Sequence, residues 1–224
     1  MTAVSLPPDP VAADTTSTWF IDADSDAVRE FVERTLSGSE VNRDDERAVA
    51  VALFKTVRDS IRYDPYAVYA APEYFRASTV ASSESNWCVP KAVLYTATLR
   101  HVGIPARLAF ADVRNHLASE KLTEAMGTDL FTWHGFTELY LDGRWLKAST
   151  AFNIEMCERF GVEVLEFDGT TDALMHPHDN AGRRHMEYVR QRGSFTDLPL
   201  EQILATFAEI YPDTVIRAAD DPAF

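Results

Sequence analysis

The chain has 224 residues, 46% hydrophobic and 11% aromatic, with 35 acidic against 21 basic side chains and a net charge of −14. That length supports one domain with a real core, or one domain with an appendage. The acid excess disfavours nucleic acid or an anionic membrane surface as a partner, and no run of about 18 uninterrupted apolar residues offers a membrane span. Met1 to Asp14 has neither the basic start nor the apolar core of a signal peptide, so the expectation is a cytoplasmic protein. Two cysteines make no disulfide framework, and Cys157 reads as a buried structural thiol.

In chain order, Met1 to Thr18, with Pro7, Pro8 and Pro10, reads as an extended arm. Ser25 caps a predicted helix to about Leu36, with Val28, Phe31, Val32 and Leu36 on one face and Gly38 past its end. A longer helix opens at Asp44 or Asp45 and carries Val49, Leu53, Thr56, Val57 and Ile61 as its apolar stripe to Tyr63. From Asp64 to Trp87 the periodicity breaks into aromatic, proline and serine residues, a loop of a length that is usually functional. It leads into Asn86-Trp87-Cys88 and an apolar helix from Val89 to Arg100, which stops at Gly103 with Pro105 beyond. Pro90 fits the first turn, where its missing N–H costs nothing. A thiol at that helix end meets free backbone amides and the positive end of the dipole, which predicts a Cys88 pKa well below about 8.5.

Ala106 to Val113 reads as a strand and Arg114 to Thr128 as a second long loop. Phe131 to Leu141 and Arg144 to Ala151 then form a predicted hairpin around Asp142-Gly143, the pair a two-residue type I′ turn prefers. That turn sets Leu141 opposite Arg144, Tyr140 opposite Trp145, Glu138 opposite Lys147 and Phe136 opposite Ser149, with Glu138 and Lys147 a candidate ion pair. By the period of two, His134 and Ser149 become diagonal neighbours on one face.

These blocks, taken together, resemble the transglutaminase-like superfamily: a cysteine heading an apolar helix, Arg-His-Val-Gly-Ile-Pro-Ala-Arg at Arg100 to Arg107, Trp133 to Tyr140, and Gly143-Arg144-Trp145. The resemblance runs from about Asn42 to Phe152. It implies a papain-related α+β core, with the cysteine helix packed on an antiparallel sheet and histidine and acid on neighbouring strands. It also implies a thiol enzyme that forms an acyl intermediate from an amide, peptide or isopeptide and passes it to water or an amine. On that reading Cys88 is the nucleophile and His134 the base that also protonates the leaving amine. The family places an aspartate four residues after the strand tryptophan; counted from Trp145 the position holds Ser149. A serine can fix the imidazole tautomer but carries no charge to stabilise an imidazolium. Asn153 and then Asp112 are the alternative third members. The Cys88 amide is one oxyanion donor, Tyr63, Tyr66 and Asn86 are candidates for a second, and Trp87 is a candidate cleft wall. The missing aspartate also fits a second expectation, a transglutaminase-like binding or scaffold protein whose site has decayed.

A metal-binding module is a third class: His176-Pro-His178, Asp179 and His185 could collect zinc or nickel, yet their spacing matches no strong motif and a solvated turn fits better. No glycine-rich phosphate loop is present, and neither a cofactor nor a catalytic metal is expected. Past the hairpin, Asn153 caps a short helix to Arg159 or Phe160, stopped by Gly161, and Val162 to Phe167 reads as a strand. Helices follow at Arg184 to Gln191 and at Pro199 to Tyr211, the last with Leu200, Ile203, Leu204 and Phe207 as its apolar face. The expected division is an arm at 1–18, a core at 19–168 and a helical appendage at 169–224 that shapes the cleft or forms a homodimer.

Overall fold

The computed structural model describes residues 9–38 and 40–212. After a 3-10 turn at Ala12–Asp14 come α1 (Asp26–Ser37) and α2 (Glu46–Ser60). Ser25 and Asp45 cap them, their side-chain oxygens accepting from the amides of Val28 and Ala48. The predicted arm docks where it is described: Arg100 donates to the Thr16 carbonyl at 2.7 Å, and Thr18 Oγ1 donates to Asp197 at 2.8 Å. Residues 1–8 of that arm, with Pro7 and Pro8, lie outside the described residues.

The second helix ends at Ser60, short of Tyr63, because residues 62–63 form β1 (Arg62–Tyr63), paired in parallel with β2 (Ser85–Asn86). Between them the long loop folds into a 3-10 turn (Pro72–Phe75) and α3 (Ala77–Val80). Next, α4 (Cys88–His101) is buried from Cys88 through Arg100. A helix apolar almost all round belongs in the middle of a fold, and its few polar groups are satisfied there. Lys91 Nζ donates to the carbonyls of Arg58 and Ile61 at the end of α2, 2.8 and 2.5 Å away, and Tyr95 Oη donates to the Ala50 carbonyl.

The remaining elements are β3 (Ala106–Asn115), α5 (Glu120–Met126), β4 (Leu130–Leu141), β5 (Arg144–Ala148), α6 (Ile154–Phe160), β6 (Met186–Phe195) and α7 (Leu200–Ile210). The strands β5-β4-β3-β6 form one antiparallel sheet in that order, so the fold is α+β with the cysteine helix against the sheet. Asp142 and Gly143 both have positive φ, 50° and 79°, the backbone of a type I′ turn. The register runs Leu141 to Arg144, Tyr140 to Trp145 and Glu138 to Lys147. Thr137 and Gly135 of β4 face α4: Thr137 Oγ1 lies 3.0 Å from Thr96 Oγ1, and Gly135 lies against Val89.

Several local expectations need correction. Residues 114–128 are not all loop but carry α5, capped by Ser119. Val162 to Phe167 is no strand; it is irregular chain that buries Val162, Leu165 and Phe167. Arg184 to Gln191 is not a helix, because residues 186–195 supply the fourth strand of the sheet. As an edge strand β6 buries little, with Val189 half exposed, so it lacks the apolar alternation that marks a strand in sequence. Glu138 sits opposite Lys147, yet its carboxylate accepts from Arg107 Nε and Ser194 Oγ, each at 2.8 Å. Arg107 is mostly buried and covers the Trp145 ring at 3.8 Å, and there a planar guanidinium gains more than a lysine ammonium can. Among the described residues no helix is long and apolar enough to cross a membrane.

Candidate active site

The head of α4 and the middle of β4 meet because residue 135 is glycine. A Cβ there would stand 3.1 Å from Val89 Cα and 3.2 Å from Val89 Cγ2, too close for the two backbones to stay where they are. The close approach brings Cys88 and His134 to the wall of one cavity of about 80 Å³. Just before the histidine, Trp133 adopts a left-handed φ of 58°, a conformation a bulky side chain adopts only when its surroundings impose it. The surroundings here are specific. Asp112, at a register shift in β3, accepts from the Trp133 amide at 3.1 Å, and Thr206 Oγ1 accepts from Trp133 Nε1 at 3.0 Å. Arg192 lies over the Trp133 ring at 4.6 Å and donates to Asp112 at 2.5 Å.

Cys88 and His134 are both buried, 6% and 5% exposed. Burial pushes the Cys88 thiol up to about 11, although the amides of Gly135, Val89 and Cys88 itself pull the other way. The expectation of a thiol acidified by its helix end is thereby overturned: the amides are present, and desolvation of the anion outweighs them. Burial likewise depresses His134 to about 4. The resting pair is a neutral thiol and a neutral imidazole.

Ser149, the first residue after β5, places Oγ 3.5 Å from His134 Nε2, a long hydrogen bond. The other two candidate third members are engaged elsewhere. Asn153 Oδ1 accepts from the Tyr63 amide at 3.1 Å, and Asp112 is held by Arg192 and Trp133. Asn153 does precede α6, and Gly161 ends that helix in the left-handed region, but the asparagine side chain makes no capping bond.

Trp87 and Tyr63 line the cavity with the cysteine, whereas Tyr66 and Asn86 do not. Asn86 is fully buried and turned inward, its Oδ1 accepting from the Trp87 amide at 3.2 Å, so it shapes the turn into α4. Trp87 packs between Phe75 and Phe207, with ring centroids 6.0 and 5.8 Å away, and its indole N–H is buried with no hydrogen-bond partner. The rest of the lining carries no local signal in the sequence. Met126 of α5, Met156 of α6, Met186 of β6, Phe207 of α7 and Tyr211 just after it all reach the same cavity. Tyr211 is fixed there by the Thr132 amide, which donates to its hydroxyl at 2.6 Å.

His176, His178, Asp179 and His185 do not converge. Asp179 accepts from the amides of Ala181 and Arg183 and from the Arg183 guanidinium, while His185 stacks on Phe152. Among the described residues no three histidine, cysteine or carboxylate groups are placed to hold a metal ion. Cys157 is a buried free thiol.

A helix with a cysteine at its head, packed on an antiparallel sheet that carries a histidine beside it, defines the class. Residues 33–150, more than half of the chain, match the family described as the transglutaminase-like superfamily, and the chain belongs to that superfamily. Among solved structures it is similar to the "Putative Cysteine Protease from Cytophaga hutchinsonii", at 14% identity and a TM-score of 0.47, over 94% of this chain and 54% of that one. It is also similar to red sea bream transglutaminase, at 12% identity and a TM-score of 0.33, over 56% of this chain and 26% of that one. The chain thus spans about half the length of the first and about a quarter of the second. No curated protein matches it.

Proposed function

We propose that this chain is a thiol-dependent hydrolase or acyltransferase acting on an amide, peptide or isopeptide bond. The observation that carries the reading is the shared cavity: Cys88 and His134 open onto the same space, with Ser149 Oγ 3.5 Å from His134 Nε2. With Nε2–H donating to Ser149, Nδ1 is the basic nitrogen. As Sγ bonds to the substrate carbonyl carbon, the thiol proton passes to Nδ1, so no free thiolate need exist beforehand. The carbonyl oxygen becomes an oxyanion that the Cys88 amide and the unpartnered Trp87 indole N–H stabilise. When the carbonyl re-forms, the C–N bond breaks and the imidazolium returns its proton to the leaving amine. The acyl-thioester then passes to water or to a second amine.

One observation favours a second reading, the binding or scaffold protein. Burial holds both groups neutral, and Ser149 offers His134 no negative charge. Acylation by p-nitrophenyl butyrate, read as mass added to the Cys88 peptide, separates the two. The enzyme reading expects Cys88 to acylate about 10²-fold or more faster than N-acetylcysteine per thiolate present, and His134→Gln to abolish that advantage. A thiol no faster than N-acetylcysteine, and indifferent to His134→Gln, leaves the scaffold reading standing.

A further inference from the structure

The cavity beside Cys88 has a one-sided chemistry. Among the described residues that line it none is aspartate, glutamate, lysine or arginine, in a chain where those four types make up 25% of all residues. His134 is held neutral there, and Asn115, Thr132 and the tyrosines contribute only uncharged polar atoms. An ionised group entering this space would surrender its hydration for no opposite charge, which costs several kcal/mol, about an order larger than the gain from one methylene. The space is also small. At about 80 Å³ it is roughly half of the cavity that holds benzene in an engineered protein core, room for a chain of about three to five carbons.

The identity of the wall carries the argument further. Met126, Met156 and Met186 come from three separate elements, α5, α6 and β6, and converge on one cavity. Methionine is unbranched and polarizable, and it fits itself to irregular apolar shapes. Met156, Met186, Phe207 and Tyr211 all lie beyond residue 150, outside the span shared with the superfamily. The cysteine and histidine therefore lie within the matched span, and much of the rest of the lining lies beyond it.

Resting on the thiol-enzyme reading, we infer that this cavity receives the acyl side of the substrate and selects a short, uncharged, apolar acyl group, rejecting acyl groups of either charge. Met126, Met156 and Met186 are then specificity-determining residues, and the amine side of the substrate lies outside the cavity.

The test is a panel of p-nitrophenyl esters of isovalerate, octanoate, monosuccinate and trimethylammonioacetate, the last with the same five carbons as isovalerate. Acylation of Cys88 is followed by mass, and each rate is divided by that of N-acetylcysteine with the same ester. The inference expects isovalerate to lead succinate, octanoate and the cationic ester by at least about tenfold each. The cationic ester separates local selection from the global field, because a net charge of −14 would attract a cation and repel only the anion. Met126→Lys, checked by circular dichroism for folding, is expected to raise the succinate rate relative to isovalerate. Equal normalised rates across the panel, or a cation that leads, would overturn the inference while Cys88 acylation upheld the thiol reading. No acylation of Cys88 by any ester would overturn both.

Discussion

At Cys88 two effects oppose each other, and magnitude decides between them. Three backbone amides favour the anion, burial disfavours it, and the net result is a thiol at about 11. His134 shows the same physics on a base, and it makes folding pH-dependent in a definite direction. Its pKa lies near 6.5 unfolded and is held down to about 4 in the fold. Between those values the unfolded chain binds the proton and the folded one does not. The stability present above pH 6.5 is therefore lost as pH falls toward 4, by about 2 kcal/mol between pH 7.5 and pH 5. Urea unfolding at the two pH values should show His134→Gln losing less than the parent chain by roughly that amount; equal losses would mean that His134 is hydrated in the fold. Ser149→Asp should act in the other sense. A carboxylate at the position 3.5 Å from Nε2 favours the imidazolium, and through it the thiolate. The pH midpoint of Cys88 alkylation by iodoacetamide should fall by about one unit or more. A midpoint that stays put would show that the residue 149 side chain does not govern the imidazole.

Between elements, the contact on which the site depends is the one glycine permits. Gly135→Ala places a methyl 3.1 Å from the Val89 backbone, and neither a helix backbone nor a paired strand yields cheaply, so β4 must move off the head of α4. Overpacking of that kind costs about 1–3 kcal/mol. The displacement should also lower the rate of Cys88 acylation far more than a destabilised but still folded chain would explain. Unchanged acylation in a chain whose urea midpoint has dropped would sever the link between this contact and the site. What was legible in sequence follows the same division. The helix caps at Ser25 and Asp45, the apolar helix from Cys88 and the Asp142-Gly143 turn rest on local signals, and the structure has each of them. The neighbouring placement of His134 and Ser149 followed from one turn and a period of two. The strand β6 and the methionine wall could not be read that way. Val189, Arg190 and Gln191 sit on an exposed edge with no apolar alternation, and Met126, Met156 and Met186 meet only after the whole chain has closed.

On the scale of the whole molecule, the C-terminal segment is woven into the matched core. The strand β6 lies on β3, the Arg100 guanidinium reaches the Thr196 carbonyl, and Tyr211 closes over Thr132. Sheet, cysteine helix and cavity therefore depend on residues drawn from most of the chain, so strain at the surface is felt at the site. One such strain is charge, a net −14. Exposed pairs such as Arg43 with Glu33 and Arg29 with Asp26 contribute little, because water and salt screen them. Against them stand 35 acidic and 21 basic side chains, and around the hairpin Asp44, Asp45, Glu46 and Asp142 share one surface with Arg47 as its cation. Raising ionic strength from about 0.01 to 0.1 M shortens the screening length from about 30 to about 10 Å. That damps repulsion between distant carboxylates strongly, and attraction within an ion pair at about 3 Å only slightly. The urea midpoint should therefore rise over that range of sodium chloride, well below the concentrations at which salts alter apolar burial. A falling midpoint would mean that the short-range pairs outweigh the repulsion of the acid excess.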